Sequence, residues 1–145
     1  MDAGSAFPET AAWYAHRVSY GETDAMGVLY HAEYIHIFER SRGELSRVFG
    51  YPYKKMEECG VMLPVVEAYC RYRKPARYDD LISVHVGISE WGRASVVFRY
   101  EIYDEGKSVL LAEGFTKHAC TDLDGVPKRV PDAIKQAFSG KPGAC

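Results

Sequence analysis

The sequence lacks the features that mark several large classes of proteins. Lys and Arg number 18 against 20 Asp and Glu, so the 145-residue chain carries a formal charge of -2 and has no basic excess for binding nucleic acid. No apolar run reaches the roughly 18 residues that a membrane helix needs, and no signal-peptide pattern is present. We therefore expect a cytoplasmic protein that binds neither nucleic acid nor membrane.

Motifs for metal ions and for common cofactors are also missing. The four cysteines form no C-x-x-C pair, and the five histidines lack the i, i+4 spacing of a metal pair on a helix. Neither a glycine-rich dinucleotide loop, nor a Walker loop, nor a G-x-S-x-G serine turn occurs. The sequence thus predicts no metal site and no bound cofactor.

One stretch, residues 20–42 (YGETDAMGVLYHAEYIHIFERSR), organises the chain. Its first part is polar and turn-forming, and it contains Asp24 and Gly27. Apolar residues then recur at i, i+3, i+4 spacing, which predicts a long helix over residues 30–49 with one buried stripe. A carboxylate therefore lies just before the start of a helix.

After this helix the hydrophobic period changes from about 3.6 to about 2 residues, which is typical of strands. Short helices are predicted over residues 53–58 and 131–138. Strands are predicted over residues 13–20, 64–74, 81–90, 94–103 and 108–121. Turn residues between the later strands predict three consecutive hairpins in an antiparallel meander.

These elements predict an α+β fold in which a five- to six-stranded antiparallel sheet wraps around the long helix. We expect one domain over residues 13–138, with flexible tails at 1–12 and 139–145. A single helix leaves sheet edges and the outer sheet face without cover. A second copy of the chain is the expected cover, which predicts a homodimer.

The pattern Y-x-x-T-D-x-x-G-V-L-Y-H-x-x-Y at residues 20–34, followed by Glu39 and Arg42, resembles the signature of hotdog-fold thioesterases. Within them it is similar to the 4-hydroxybenzoyl-CoA thioesterase and YbgC-like group. The turns P-x-x-x-D-D at 75–80 and W-G-R at 91–93 match as well, so the resemblance covers residues 14–130.

The resemblance implies hydrolysis of an acyl-CoA thioester, with a short-chain or aromatic acyl group, without metal or cofactor. It also implies a homodimer with two active sites at its interface, often paired into a homotetramer. The essential carboxylate of the family corresponds to Asp24.

Physical chemistry supports a role for Asp24. Thioester hydrolysis needs an attacking group and a way to stabilise negative charge on the carbonyl oxygen. The helix N-terminus supplies unpaired N–H groups, so the amides of Tyr30 and His31 are expected to polarise a carbonyl. Asp24 either attacks directly or deprotonates water, and the sequence leaves both open. The alternative is that Asp24 only caps the helix.

Two other residues of the stretch each have two possible roles. The His31 imidazole either assists catalysis or satisfies a helix start, and Tyr20 either orients Asp24 or packs at a strand end. Gly27 is expected to allow close approach of the backbone to the thioester. Met26 lies in the loop where acyl preference is expected to be set.

CoA phosphates require cationic partners. Arg93 occupies a position where relatives place basic residues, and Lys74 and Arg77 are further candidates. A solvated surface charge is the alternative for each of the three. Glu39 and Arg42 are spaced i, i+3 and are expected to form an ion pair on the helix.

Two other functions stay open beside the acyl-CoA thioesterase, and a third is disfavoured. A thioester on a carrier protein would present the same pantetheine arm. A non-catalytic acyl-CoA-binding protein would use the same fold. A hydratase is disfavoured, because its Asp and His stand closer together in a different motif.

Overall fold

The computed structural model describes residues 6–141 and residue 145. The elements are β1 (Ala11–Arg17), α1 (Glu33–Val48), α2 (Tyr53–Glu58), β2 (Val65–Tyr72), β3 (Leu81–Trp91), β4 (Ser95–Tyr103), β5 (Leu110–Ala119) and α3 (Asp132–Phe138), with a 3-10 turn at Tyr20–Glu22. The strands form one antiparallel five-stranded sheet in the order β1-β3-β4-β5-β2. The predicted α+β class and its five antiparallel strands are confirmed.

The prediction of three consecutive hairpins is wrong. Hairpins join β3 to β4 and β4 to β5, but β2 lies beside β5 at the sheet edge, where Tyr72 is opposite Ala112. Residues 73–80 connect β2 to β3. An extended segment of that length reaches about 26 Å, more than the roughly 14 Å across three strand spacings. Turn residues alone cannot distinguish this crossing from a hairpin.

Helix α1 begins at Glu33, three residues after the predicted start, and ends at Val48. It packs on the sheet, and its fully buried apolar side chains are Tyr34, Ile37, Phe38 and Leu45. The Phe38 ring stacks on Tyr100 of β4 with 4.1 Å between ring centroids. Gly114 of β5 lies under the same ring, and a Cβ there would be 2.8 Å from a Phe38 carbon. The absence of a side chain at position 114 therefore allows α1 to approach the sheet.

Part of the segment predicted to be a flexible tail is structured. Residues 11–12 belong to β1 and pair with residues 86–87 of β3. Phe7 stacks on His85 with 3.7 Å between ring centroids. Because Gly87 has no side chain, residues 7–10 can lie against it. The predictions for residues 1–5 and 142–144 lie outside the described residues.

Two cysteines far apart in sequence are joined. Cys59, at the C-terminal end of α2, forms a disulfide with Cys145 across a sequence separation of 86 residues. Cys70 and Cys120 are free thiols. The spacing of the cysteines gave no indication of this pairing. Among the described helices, none is long and apolar enough to cross a membrane.

Candidate active site

The loop that carries Asp24 is a tightly hydrogen-bonded turn. The backbone N–H of Asp24 donates to the Val28 carbonyl at 2.9 Å, and the Gly27 N–H donates to the Asp24 carbonyl at 3.0 Å. The carboxylate Oδ1 accepts the N–H of Met26 at 2.8 Å and that of Val28 at 3.4 Å. Gly27 has a φ of 76°, a left-handed value that glycine adopts without strain. The turn therefore fixes one carboxylate oxygen to the backbone.

Asp24 faces a cavity of about 290 Å³ between its loop, the start of α1 and the end of β2. The lining residues are Asp24, Val28, Leu29, His31, Tyr34, Tyr72, Arg73, Lys74 and Pro75. The Tyr72 hydroxyl donates to the His31 carbonyl at 2.8 Å, which ties β2 to the residues just before α1. The cavity thus joins the stretch of residues 20–42 to β2, which begins more than twenty residues later in the sequence.

The residues just before α1 offer one of the two expected amide donors. The Tyr30 N–H already donates to the Glu22 carbonyl at 2.8 Å, so it is not free to contact a ligand. The His31 N–H has no hydrogen-bond partner among residues 6–141 and 145. The helix N-cap is Ala32, whose side chain cannot accept a hydrogen bond. The partial positive charge of the helix end is therefore directed at the cavity without a side-chain cap.

The cavity holds some of the predicted site residues and not others. Asp24, His31 and Lys74 line it. Tyr20 does not, because its side chain is 79% exposed and its ring lies edge-on to Tyr78 at 5.7 Å. Met26 is likewise 80% exposed at the tip of the loop.

The remaining cationic candidates lie in different places. Arg77 is exposed and forms a β-bridge with Val28 of the Asp24 loop. Arg93 is exposed at the opposite end of the sheet, since Ser95 pairs with Ala119 whereas the cavity lies beside Ala112. Seven residues of β5 span roughly 23 Å at about 3.3 Å per residue. Within one protomer, therefore, Arg93 is remote from Asp24.

Two groups near the cavity stay protonated at neutral pH. Burial, together with the neighbouring Cys70 and Tyr34, raises the pKa of Tyr72 to about 12. Burial raises the pKa of the Cys70 thiol to about 11, although the hydrogen bond with Tyr72 lowers it by a smaller amount. A thiolate nucleophile at position 70 is therefore disfavoured, and Asp24 is the carboxylate that faces the cavity.

The expected ion pair between Glu39 and Arg42 does not form. Arg42 is 7% exposed, and it donates from Nη1 to the Tyr100 hydroxyl at 3.1 Å and from Nε to the Tyr53 hydroxyl at 3.2 Å. Glu39 is instead 3.6 Å from His36 on the exposed face of α1. The i, i+3 spacing failed as a guide because Arg42 turns into the core.

A chain of hydrogen bonds continues inward from Arg42. The Tyr100 hydroxyl is 2.6 Å from Thr116 Oγ1, which is 2.8 Å from His118 Nε2. His118 Nδ1 is 2.8 Å from the Leu63 carbonyl. The Leu63 carbonyl only accepts, so His118 Nδ1 carries a proton, and burial lowers the pKa of His118 to about 4, so the imidazole is neutral at pH 7. Nε2 therefore accepts from the Thr116 hydroxyl, which leaves the Tyr100 hydroxyl to donate to Thr116 and to accept from Arg42.

Tyr72 and Arg73 are cavity residues that no motif in the sequence indicated. Alternate residues of a strand share a sheet face, so Tyr72 lies on the same face of β2 as Cys70. The proximity of that face to His31 depends on the pairing of β2 with β5, which the sequence did not predict.

Comparison with known proteins shows the family to which the chain belongs. The model of the thioesterase-like superfamily matches residues 18–138. The acyl-CoA thioesterase YbgC of Haemophilus influenzae is 34% identical over 140 residues, covering 95% of this chain and 96% of that protein.

Solved structures have the same fold. The TT1821 protein of Thermus thermophilus is 36% identical with a TM-score of 0.82, covering 89% of this chain and 95% of that one. A mutant 4-hydroxybenzoyl-CoA thioesterase, solved with 4-hydroxybenzoyl-CoA, has a TM-score of 0.80 over 89% of this chain and 99% of that one. The two sequences are 20% identical, so the comparison shows a shared fold only.

The fold and the sequence relationship define an enzyme of the thioesterase class with the hotdog architecture. The chain belongs to the thioesterase-like superfamily.

Proposed function

We propose that this enzyme hydrolyses an acyl-CoA thioester, with a short-chain or aromatic acyl group, to a free acid and CoA. The observation that carries the proposal is that Asp24 and the residue with the free amide, His31, line one cavity at the start of α1. The names of curated relatives support the choice of acyl-CoA. Helix α1 takes the place of the central helix of the hotdog fold.

In this proposal the thioester carbonyl oxygen accepts the His31 N–H. As the carbonyl carbon becomes tetrahedral, the negative charge on its oxygen is stabilised by that amide and by the positive end of α1. The amide of Tyr30, engaged with Glu22, takes no part. The CoA sulfur leaves as a thiolate and takes up the proton released by the water that the reaction consumes.

Asp24 supplies the attack through Oδ2. No residue in the described part of the chain donates a hydrogen bond to Oδ2, whereas Oδ1 accepts two. In one route, Oδ2 attacks the carbonyl carbon, the thiolate leaves and water hydrolyses the resulting mixed anhydride. In the other, Oδ2 accepts a proton from water, whose oxygen attacks instead.

Several residues have supporting roles in the proposal. Gly27 keeps the loop free of a side chain near the thioester, and the exposed Met26 contacts the acyl group. Lys74 and Arg77 flank the cavity and are the proposed contacts for CoA phosphates. The His31 imidazole is available to assist from the cavity wall. The Tyr20 hydroxyl, whose ring lies against Tyr78 outside the cavity, takes part only where a second protomer or the bound substrate reaches it.

We further propose that the enzyme is a homodimer joined through β2. This strand pairs with β5 on one side, is an edge strand on the other, and exposes Val65, Val66 and Tyr69. An antiparallel pairing of two copies about Tyr69 places Glu67 opposite Arg71 of the partner, twice. Opposite charges at facing positions favour that register.

The dimer proposal is tested by charge reversal. The single change Arg71→Glu should weaken the dimer, and the double change Glu67→Arg with Arg71→Glu should restore it, as measured by analytical ultracentrifugation. Equal dissociation constants for all three proteins would contradict this interface.

The catalytic proposal is tested by thiol release from a panel of short-chain, long-chain and aryl-CoA thioesters. We expect Asp24→Asn to lower kcat/KM on the best substrate by about a thousandfold, the scale for loss of a group that acts in the transition state. Asp122 provides a matched control, because it sits in the same kind of turn, with its Oδ1 accepting the N–H groups of Asp124 and Val126 at 2.9 Å each. Asp122→Asn should retain full activity.

Other outcomes separate the alternatives. Full activity in folded Asp24→Asn would refute the role of Asp24. Turnover of acyl-carrier-protein thioesters without turnover of acyl-CoA would change the substrate class. Tight binding of acyl-CoA without turnover of either would favour a binding protein.

A further inference from the structure

A second carboxylate, Glu22, lies two residues before Asp24 and is 9% exposed. Its Oε1 accepts the Ser19 N–H at 2.8 Å and the Ser19 hydroxyl at 2.9 Å. His16 Nε2 lies 2.9 and 3.0 Å from the two carboxylate oxygens, and Arg40 Nη1 lies 3.5 Å from Oε2. Glu22 thus joins β1, the 3-10 turn and α1 through one side chain.

The backbone of Glu22 closes the base of the Asp24 loop. Its carbonyl accepts the Tyr30 N–H at 2.8 Å, and one residue inward Thr23 forms a β-bridge with Leu29. Residues 24–28, which form the Asp24 turn, lie inside the loop that these two contacts close. The position of Glu22 therefore determines where the loop begins and where the chain enters α1.

Glu22 is separate from the cavity that Asp24 faces. It lines a different cavity of about 480 Å³, whose residues are His16, Arg17, Ser19, Glu22, Glu33, His36 and Arg40. Any effect of Glu22 on the reaction is therefore indirect, through the loop backbone or, by way of Arg40, through α1.

We propose that Glu22 is a positioning residue, whose buried carboxylate holds the Asp24 loop and the His31 amide in their relative geometry. The expected effect of Glu22 on kcat rests on the proposed thioesterase function. The expected effect on the geometry of the loop rests only on the hydrogen bonds described above. The Arg40 contact couples the same anchor to α1, so that loop and helix are fixed together.

The charge state of Glu22 is consistent with this role. Burial alone would raise the pKa of its carboxyl, but the hydrogen bonds from Ser19 and His16 outweigh burial, and the pKa is lowered. The anchor is therefore a carboxylate at neutral pH, able to accept several hydrogen bonds at once.

The test compares Glu22→Gln with wild type on the substrate that wild type hydrolyses best. We expect kcat to fall about a hundredfold, the scale for a displacement of about 1 Å between reacting groups, while KM stays within about twofold. Glu44→Gln is the matched control, because Glu44 pairs with Arg47 on the same helix at 3.3 Å and is remote from the loop. Its kcat and KM should equal those of wild type.

Hydrogen exchange provides a readout that does not depend on turnover. In Glu22→Gln the amides of Met26, Val28 and Tyr30 should exchange at least tenfold faster, while the amides of β4 should be unchanged. If Glu22→Gln does not fold, Ser19→Ala removes one of the hydrogen bonds and should give smaller changes in the same direction.

The outcomes distinguish the two proposals. If wild type hydrolyses no thioester but loop exchange accelerates in Glu22→Gln, the thioesterase proposal fails and the positioning role stands. Unchanged exchange together with unchanged kcat would overturn the positioning role. A rise in KM at constant kcat would also overturn it, because that result places Glu22 in substrate binding.

Discussion

The buried imidazole of His118 should make the enzyme lose stability as pH falls. His118 is 1% exposed, and burial, reinforced by the nearby Arg42 cation, lowers its pKa from 6.5 to about 4. Between these two values the unfolded chain binds a proton at this residue and the folded chain does not. The free energy of unfolding must therefore decrease as pH falls through this range.

The magnitude follows from the size of the pKa difference. A shift from 6.5 to about 4, at about 1.4 kcal/mol per unit, corresponds to roughly 3 kcal/mol. The contribution is fully present above pH 6.5 and is lost progressively down to the folded pKa of about 4. Such a loss is a large part of the 5–15 kcal/mol typical of a domain.

Urea unfolding at several pH values between 7.5 and 4.5 measures this effect. Wild type should lose about 2.5 kcal/mol more over that range than His118→Gln, whose amide can still bond to Leu63 and Thr116 but does not titrate. His36→Gln is the control for the substitution itself, since that side chain is 56% exposed and lies outside the hydrogen-bonded chain of His118. Equal pH dependence in wild type and His118→Gln would refute the reasoning.

Two further predictions concern packing and the disulfide. Gly114→Ala should lower the free energy of unfolding by about 1–3 kcal/mol, because the new Cβ meets both the Phe38 ring and the Tyr69 carbonyl. Gly106→Ala is the control: a Cβ there has no contact closer than 3.9 Å, and its loss of stability should be less than half as large. Equal losses for the two variants in chemical denaturation would contradict the packing argument. Cys145→Ser should be less stable than the oxidised wild type by up to about 4.6 kcal/mol, the value that the loss of chain entropy gives for a disulfide across 86 residues. Dithiothreitol reduces the disulfide of the wild type and should abolish this difference. A difference that persists under reduction would contradict the disulfide.

The disulfide also bears on where the enzyme acts. Disulfides are rare in the cytosol, where thiols are kept reduced, so the predicted cytoplasmic location and the Cys59–Cys145 bond favour opposite expectations. The location stays a prediction. Counting free thiols in protein isolated under alkylating conditions would establish which form its cells contain.

Local patterns in the sequence were sufficient for most of the secondary structure. The change from a 3.6-residue to a 2-residue period is a property of neighbouring residues, and the observed helices and strands lie within a few residues of the predicted ones. The turn around Asp24 was also evident, because the hydrogen bonds of Asp24 itself lie between residues 24 and 28 and the left-handed position of the turn is a glycine.

Features that depend on contacts between distant residues could not be predicted from the sequence. The spacing of Glu39 and Arg42 suggested an ion pair, but the tyrosines that receive Arg42 come from α2 and β4. Likewise, the turn residues before β3 suggested a hairpin, although β2 pairs with β5.

The sequence by itself determined the elements, the position of Asp24 ahead of α1 and, through the signature stretch, the superfamily. Only the tertiary structure decided that the Tyr30 amide is engaged while the His31 amide is free, that Tyr72 closes the cavity and that Arg93 lies at the far end of the sheet. The physical reason is that a hydrogen bond or cavity wall between distant residues is set by strand order and register. Those depend on how the whole core packs, which no short segment encodes.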